Sequence, residues 1–181
     1  MVTKLVFRED RATQAAAFLL KLNKKRIGIP VMRYIKLIKL MYLADREALL
    51  RLGHMITYDR LVSMDNGPVL SRVLDLIKGR ASGSYWSRYI SRWPHWWVLL
   101  TSDPSTSQLS VAEEKILQEL FQKYGHLGWR KLIDVSHRLP EWKDPHGSAL
   151  TIEPREVLIS QNVSAEEADE IVADMEAAAS L

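Results

Sequence analysis

An acidic residue stands where the sequence asks for an apolar one. Residues 34–52 read YIKLIKLMYLADREALLRL. At about 100° per residue, the α-helical step, Tyr34, Ile35, Leu37, Ile38, Met41, Tyr42, Ala44, Ala48, Leu49 and Leu52 fill one arc. Asp45 falls in the middle of that arc. A buried carboxylate is costly unless it is paired or hydrogen-bonded. Two chemistries suit it. It could serve as a general base or ligand, or it could anchor the fold by accepting backbone N–H bonds or pairing with Arg60 or Arg72. The anchor is the expected role.

The other reactive residue types make no familiar constellation. The histidines, His54, His95, His126, His137 and His146, form neither an H-x-x-x-H nor an H-E-x-x-H pattern. His137, Asp134 and Asp144 match no known metal-ligand spacing, so no metal and no cofactor is expected. The chain has no cysteine, which removes thiol nucleophiles, zinc–thiolate sites and disulfides and suits a reducing cytoplasm. The glycines build no phosphate loop. Gly67-Pro68 precedes a helical pattern, but proline removes one of the amides that would hold an anion. No serine lies in a G-x-S-x-G context. No enzymatic activity is expected.

One further stretch carries chemistry. Residues 85–97, YWSRYISRWPHWW, interleave Arg88 and Arg92 with Tyr85, Trp86, Tyr89, Trp93, Trp96 and Trp97. Aromatic and basic residues in alternation stack on nucleobases, serve as protein-interface anchors, or pack a sheet onto helices. All three readings are open at this point.

These residues need elements to hold them. The residue 34–52 pattern is apolar on more than one face, with Leu40, Leu43 and Leu50 lying between Lys36, Lys39, Arg46 and Glu47 on the other side, so neighbours should cover it all round. Pro30 suits its first turn and Gly53 its end. A helix from about Asp10 to Lys24 precedes it, after an arm or edge strand at 1–8. Tyr58–Met64 reads as a strand, Asn66-Gly67 as a turn, and Pro68 as the opening of a helix to Lys78. Residues 80–84 form a small-residue loop. Trp86–Arg92 and Trp96–Thr101 read as two strands. Ser110 with Glu113, and Ser164 with Glu167, are capping boxes that start helices at Val111 and Ala165. Between them lie helices at about 129–138 and 154–160. The terminal AAASL reads as a frayed helix end. The whole is mainly α (α+β): about seven helices around a central buried helix, with a small antiparallel sheet.

Size and charge bound the rest. With 181 residues, 47% apolar and 26% charged, the chain is long enough for one soluble domain over 1–181, with a seam near 102–108 and an acidic C-terminal helix at 165–179. The longest apolar run, Ala15–Leu20, is too short to cross a bilayer, and the N-terminus has no signal-peptide layout. No membrane association is expected. The net charge of +3 conceals two poles: residues 1–100 carry a net +11 and residues 101–181 a net −8. The acidic helix holds Glu166, Glu167, Asp169, Glu170, Asp174 and Glu176. The two halves either face one another or present opposite charges to partners.

Several of these stretches together resemble a known family. KLIKLMYLADREALLRLG followed by ITYDRLVSMDNGPV, then Leu109-Ser110, SHRLPEW and DPHGSALTI, are similar to the signature of the Panacea-domain, SocA-like and phage-associated GepA-like antitoxins. The matching positions are Lys39, Leu40, Tyr42, Leu43, Ala44, Asp45, Gly67, Pro68, Val69, His137 and Trp142. The resemblance implies a cytoplasmic antitoxin of a bacterial or phage toxin–antitoxin system, which neutralises a cognate toxin by protein binding, with signature residues that are structural. Trp86, Arg88, Arg92 and Trp93 on one side and Glu166, Glu170 and Asp174 on the other are the candidate toxin-binding residues. If the toxin acts on nucleic acid or nucleotides, the acidic helix would enter its basic substrate groove. The alternatives are a nucleic-acid-binding regulator acting through the basic half, and an adaptor that delivers the toxin to a cellular protease.

Overall fold

The computed structural model describes residues 3–81, 85–94 and 96–179. Within them, eight helices and six short strands follow one another as α1 (Glu9–Ile27), β1 (Val31–Arg33), α2 (Tyr34–Leu52), β2 (Leu61–Met64), β3 (Gly67–Leu70), α3 (Ser71–Lys78), α4 (Trp86–Tyr89), β4 (Ile90–Trp93), β5 (Trp97–Leu100), α5 (Val111–Tyr124), α6 (Trp129–His137), β6 (Leu150–Ile152), α7 (Pro154–Ser160) and α8 (Ala165–Ala179). The fold is mainly helical α+β. Part of the 80–84 loop, His95 and the last two residues of AAASL lie outside the described residues.

Helix α2 is the centre. Every residue from Lys36 to Asp45 is buried, as are Ala48 and Leu49. It packs against α5, α6, α1, α7 and strand β3, which is why it can be apolar on several faces. Each fully buried Leu, Ile or Met on it contributes on the order of 1.5–3 kcal/mol relative to exposure. Gly53 ends it at φ +72, with its N–H bonded to the Leu49 carbonyl.

Two three-stranded antiparallel sheets flank the helices, ordered β1-β5-β4 and β3-β2-β6. Their registers pair Met32 with Val98 and Trp97 with Trp93 in the first, and Ser63 with Pro68 and Leu61 with Ile152 in the second. Several sequence expectations change here. Pro68 lies in strand β3 rather than opening a helix, and the helix begins at Ser71. Strand β3 is an edge, where a missing N–H is tolerated. Residues 58–60 do not join β2, because Tyr58 takes φ +54 and breaks the extended run. Trp86–Tyr89 forms a single helical turn instead of strand. Strands β1 and β6 were not expected. The arm at 3–8 forms no strand; Thr3 N–H bonds Glu153, Lys4 N–H bonds Glu176, and Arg8 N–H bonds the Thr57 carbonyl.

The two halves face one another in part, with Arg11 paired to Glu113, Lys21 to Asp103, Arg46 to Glu141 and Arg51 to Glu119, but the acidic helix α8 does not cover the aromatic hairpin. Helix α8 docks on α7, with Arg155 paired to Asp169 at 2.5 Å. Its Ile171 lies near Gly53, at the C-terminal end of α2. The β4–β5 hairpin instead meets Tyr34, at the opposite end. Nineteen helical residues lie along that length, roughly 28 Å at about 1.5 Å per residue. Segment 102–108 runs along α1, where Lys21 pairs with Asp103 at 3.0 Å and Arg11 bonds the Gln108 carbonyl.

Candidate functional site

The polar side chains of α2 reach in different directions and each meets a neighbouring loop. Asp45 accepts N–H bonds from Ile56 at 2.7 Å and Thr57 at 3.0 Å, and a hydrogen bond from the Thr57 hydroxyl. Burial pushes its pKa up to about 7 against these bonds. Neither Arg60 nor Arg72 pairs with it. The carboxylate fastens the segment after α2 back onto the helix. One turn earlier, Tyr42 donates to Glu141 at 3.1 Å, and Arg46 bonds the same buried carboxylate at 2.7 Å. Burial, with the Glu141 charge, raises the Tyr42 pKa well above the usual phenol value.

Lys39 and Lys36 complete the set. Lys39 is fully buried and donates to the Pro68 carbonyl at 2.8 Å. Burial lowers its pKa to about 7. An amine with one acceptor fits the neutral form better than an ammonium with three donors. Lys36 donates to the Gly125 carbonyl at 2.6 Å, and burial followed by the Arg26 charge lowers its pKa to about 8. Folding that lowers a lysine pKa costs stability in full below the folded value, and the cost fades as pH rises to the unfolded one. Relative to Lys39→Met, the wild type should therefore gain on the order of 2–4 kcal/mol between pH 7 and 10. Urea unfolding at pH 7, 8, 9 and 10 reads this; a constant difference would contradict it.

Around these groups the β2–β3 turn is clamped from three sides. Gly67 takes φ +91, and a Cβ there would lie 2.9 Å from Lys39 Nζ and closer still to Ser136 Oγ. His137 Nε2 meets the Asp65 carbonyl at 2.9 Å, Trp142 Nε1 donates to the Met64 carbonyl at 3.0 Å, and the two rings stack at 4.1 Å. Asp59, which sequence reasoning missed, accepts N–H bonds from Arg60, Arg72 and Val73. It thereby caps α3, and burial raises its pKa to about 6. Its place just before a strand, in YDRL, is a signal of a turn-capping acid. Lys39, Tyr42, Asp45, Gly67, Pro68, Val69, His137 and Trp142 thus belong to one continuous structural unit.

A second polar cluster fixes the start of α5. Glu113 closes the capping box with Ser110 and also bonds Arg11 and His54, the last at 3.1 Å. The bond to Glu113 raises the His54 pKa. Burial pushes the Glu113 carboxyl up, but its bonds to His54 and Ser110 and the Arg11 charge prevail and hold it below the usual value. Among the described residues, no group of three or more His, Asp or Glu side chains is arranged to hold a metal ion. No helix among them is long and apolar enough to cross a membrane.

The candidate partner-binding residues separate into three kinds. Trp86 is only 4% exposed: its helical turn carries it into the core beside α1, so it offers no surface to a partner. Arg88, Arg92 and Trp93 lie on the surface at the hairpin. Glu166, Glu170 and Asp174 are exposed on α8, the far pole, while Ala168 and Met175 of the same helix are buried. The hairpin group and the acidic group form no common site.

A mainly helical fold whose central helix is tied by buried polar contacts to a strand–turn–strand unit defines the class. The family model described as antitoxin SocA-like, Panacea domain, matches residues 37–143, more than half of the chain, and the chain belongs to that family. No curated protein and no solved structure matches it. The matched region spans the structural unit, hairpin β4–β5, α5 and α6; α1, β1, β6, α7 and α8 lie outside it.

Proposed function

We propose that the protein is the antitoxin of a toxin–antitoxin pair, acting without catalysis by binding its cognate toxin directly and blocking it. The carrying observation is membership of the SocA-like antitoxin family over residues 37–143. The local chemistry supports it: Lys39, Tyr42, Asp45 and Asp59 are buried and engaged in internal hydrogen bonds. They form a scaffold, and function falls to the surfaces it displays. In this reading residues 1–181 act as one unit in the cytoplasm.

Co-expression with the toxin encoded beside it tests the reading. Growth should be rescued while the toxin persists at its usual level. Loss of the toxin protein on co-expression would point instead to delivery to a protease, and continued growth arrest would overturn the reading. Removing α8 is a poor test of its carboxylates, because Ala168 and Met175 would be lost from the core with them. Replacing Glu166, Glu170 and Asp174 by glutamine leaves that packing in place.

A further inference from the structure

Three tryptophans at the end of hairpin β4–β5 remain substantially exposed: Trp93 by 50%, Trp96 by 62% and Trp97 by 36%. Trp93 and Trp97 are direct cross-strand partners, and Arg33 stands opposite Trp97 on the other side. These three form one row across the outer face of the sheet, with the Arg33 guanidinium 5.0 Å from the Trp97 ring. The opposite face carries Met32, Ile90 and Val98, all buried, with Arg92 beside Val98 exposed at its rim.

Trp96 is the most informative of them. Its φ is +79, a left-handed conformation that glycine adopts freely and a tryptophan does not. The backbone there has a structural role, since its carbonyl accepts the Tyr34 N–H at 2.8 Å, at the start of α2. Glycine would fill that role with less strain. The indole therefore needs another reason to be there.

The surroundings say what it would meet. Lys78 Nζ lies 5.9 Å from the Tyr34 ring, and Arg92 donates to the Lys78 carbonyl at 2.8 Å. The cleft between Tyr34, Lys78, Arg92 and the three indoles has no carboxylate in its walls among the described residues. It adjoins a cavity of about 180 Å³ that shares Tyr34 and Lys78 and runs to the β2–β3 turn. Burial and the Arg80 charge both disfavour the Lys78 ammonium, and Asp75 opposes them only in part. An incoming carboxylate would relieve that. One face of Trp97 is already taken by Arg33, and Trp96 lies 5.6 Å from the tilted Tyr34 ring. Flanked aromatic anchors of this kind suit a protein interface better than a run of bases, which needs open ring faces.

We propose that this end of the molecule is the toxin-docking surface, and that the toxin presents an acidic segment to it. The proposal rests on the antitoxin reading. The opposite pole is the weaker surface, since α8 turns its apolar side inward and shows solvated carboxylates, which are depleted from interface cores.

The test uses the full-length protein and the purified toxin. Trp96→Gly should keep the thermal unfolding midpoint of the wild type and bind the toxin at least about 30-fold more weakly, the loss expected for an anchor residue. Lys78→Glu/Arg92→Glu should slow association about tenfold at low salt and flatten its salt dependence. A mixed-sequence single-stranded oligonucleotide is titrated in parallel. Wild-type toxin affinity in both variants, with neutralisation intact, would overturn the docking surface and leave the antitoxin reading standing. Loss of oligonucleotide binding alone would assign the face to nucleic acid and overturn the proposal. Failure of the wild type to neutralise the toxin would overturn both.

Discussion

Replacing Asp45 by alanine should leave little soluble protein. The substitution strands three buried donors, the N–H groups of Ile56 and Thr57 and the Thr57 hydroxyl. An unsatisfied buried donor costs about 1–3 kcal/mol, so three of them cost on the order of 3–9 kcal/mol. Domains of this size have about 5–15 kcal/mol in total. Asp45→Asn keeps one acceptor oxygen for the two backbone N–H groups and offers a donor that the Thr57 hydroxyl can accept. It should fold with a reduced denaturation midpoint. Urea unfolding of the two variants separates the roles. A stable but inert Asp45→Ala protein would contradict the anchor and restore a chemical role for the carboxylate.

Gly67→Ala should be nearly as damaging, for a different reason. The backbone there is left-handed at φ +91, and the added methyl meets Ser136 and Lys39. Strain and overpacking together cost on the order of 3–5 kcal/mol. The loss should be centred on the turn, because the Lys39 amine and the Pro68 carbonyl must move apart. Hydrogen exchange should show earlier opening of β2 and β3 than of α1 or α5. Uniform protection matching the wild type would mean that the turn tolerates the methyl and that the close approach is not what selects glycine.

These effects explain what could be read in the sequence and what could not. Helix α2 was legible because its apolar residues exceed one face, and α5 because Ser110 and Glu113 stand three apart. Pro154 announced α7. Strands β1 and β6 were not legible: each has three residues, too few for alternation to show. Strand β3 was misread because proline opens helices more often than it sits in an edge strand. Asp45 stood out since an acid in an apolar arc is conspicuous. Glu141 and Asp59 did not, because they lie in loops, where acids are ordinary, and only the fold buries them. Trp86 and Trp93 looked alike in an aromatic run. One helical turn at α4 sends the first inward, and the strand that follows leaves the second half exposed.

The scaffold and the surfaces therefore carry different duties. Mutations at Asp45, Asp59, Gly67 or Glu141 should lower the amount of folded protein and leave its affinity per folded molecule intact. Mutations at the hairpin should do the reverse.

The most direct measurement is a titration of the purified toxin, with its own activity as readout, by purified wild-type protein with no protease present. Direct blocking predicts that activity falls in proportion to added antitoxin, reaches zero at a fixed stoichiometry, and that the two proteins then co-elute with the toxin intact. Full toxin activity in the presence of excess folded protein would contradict it.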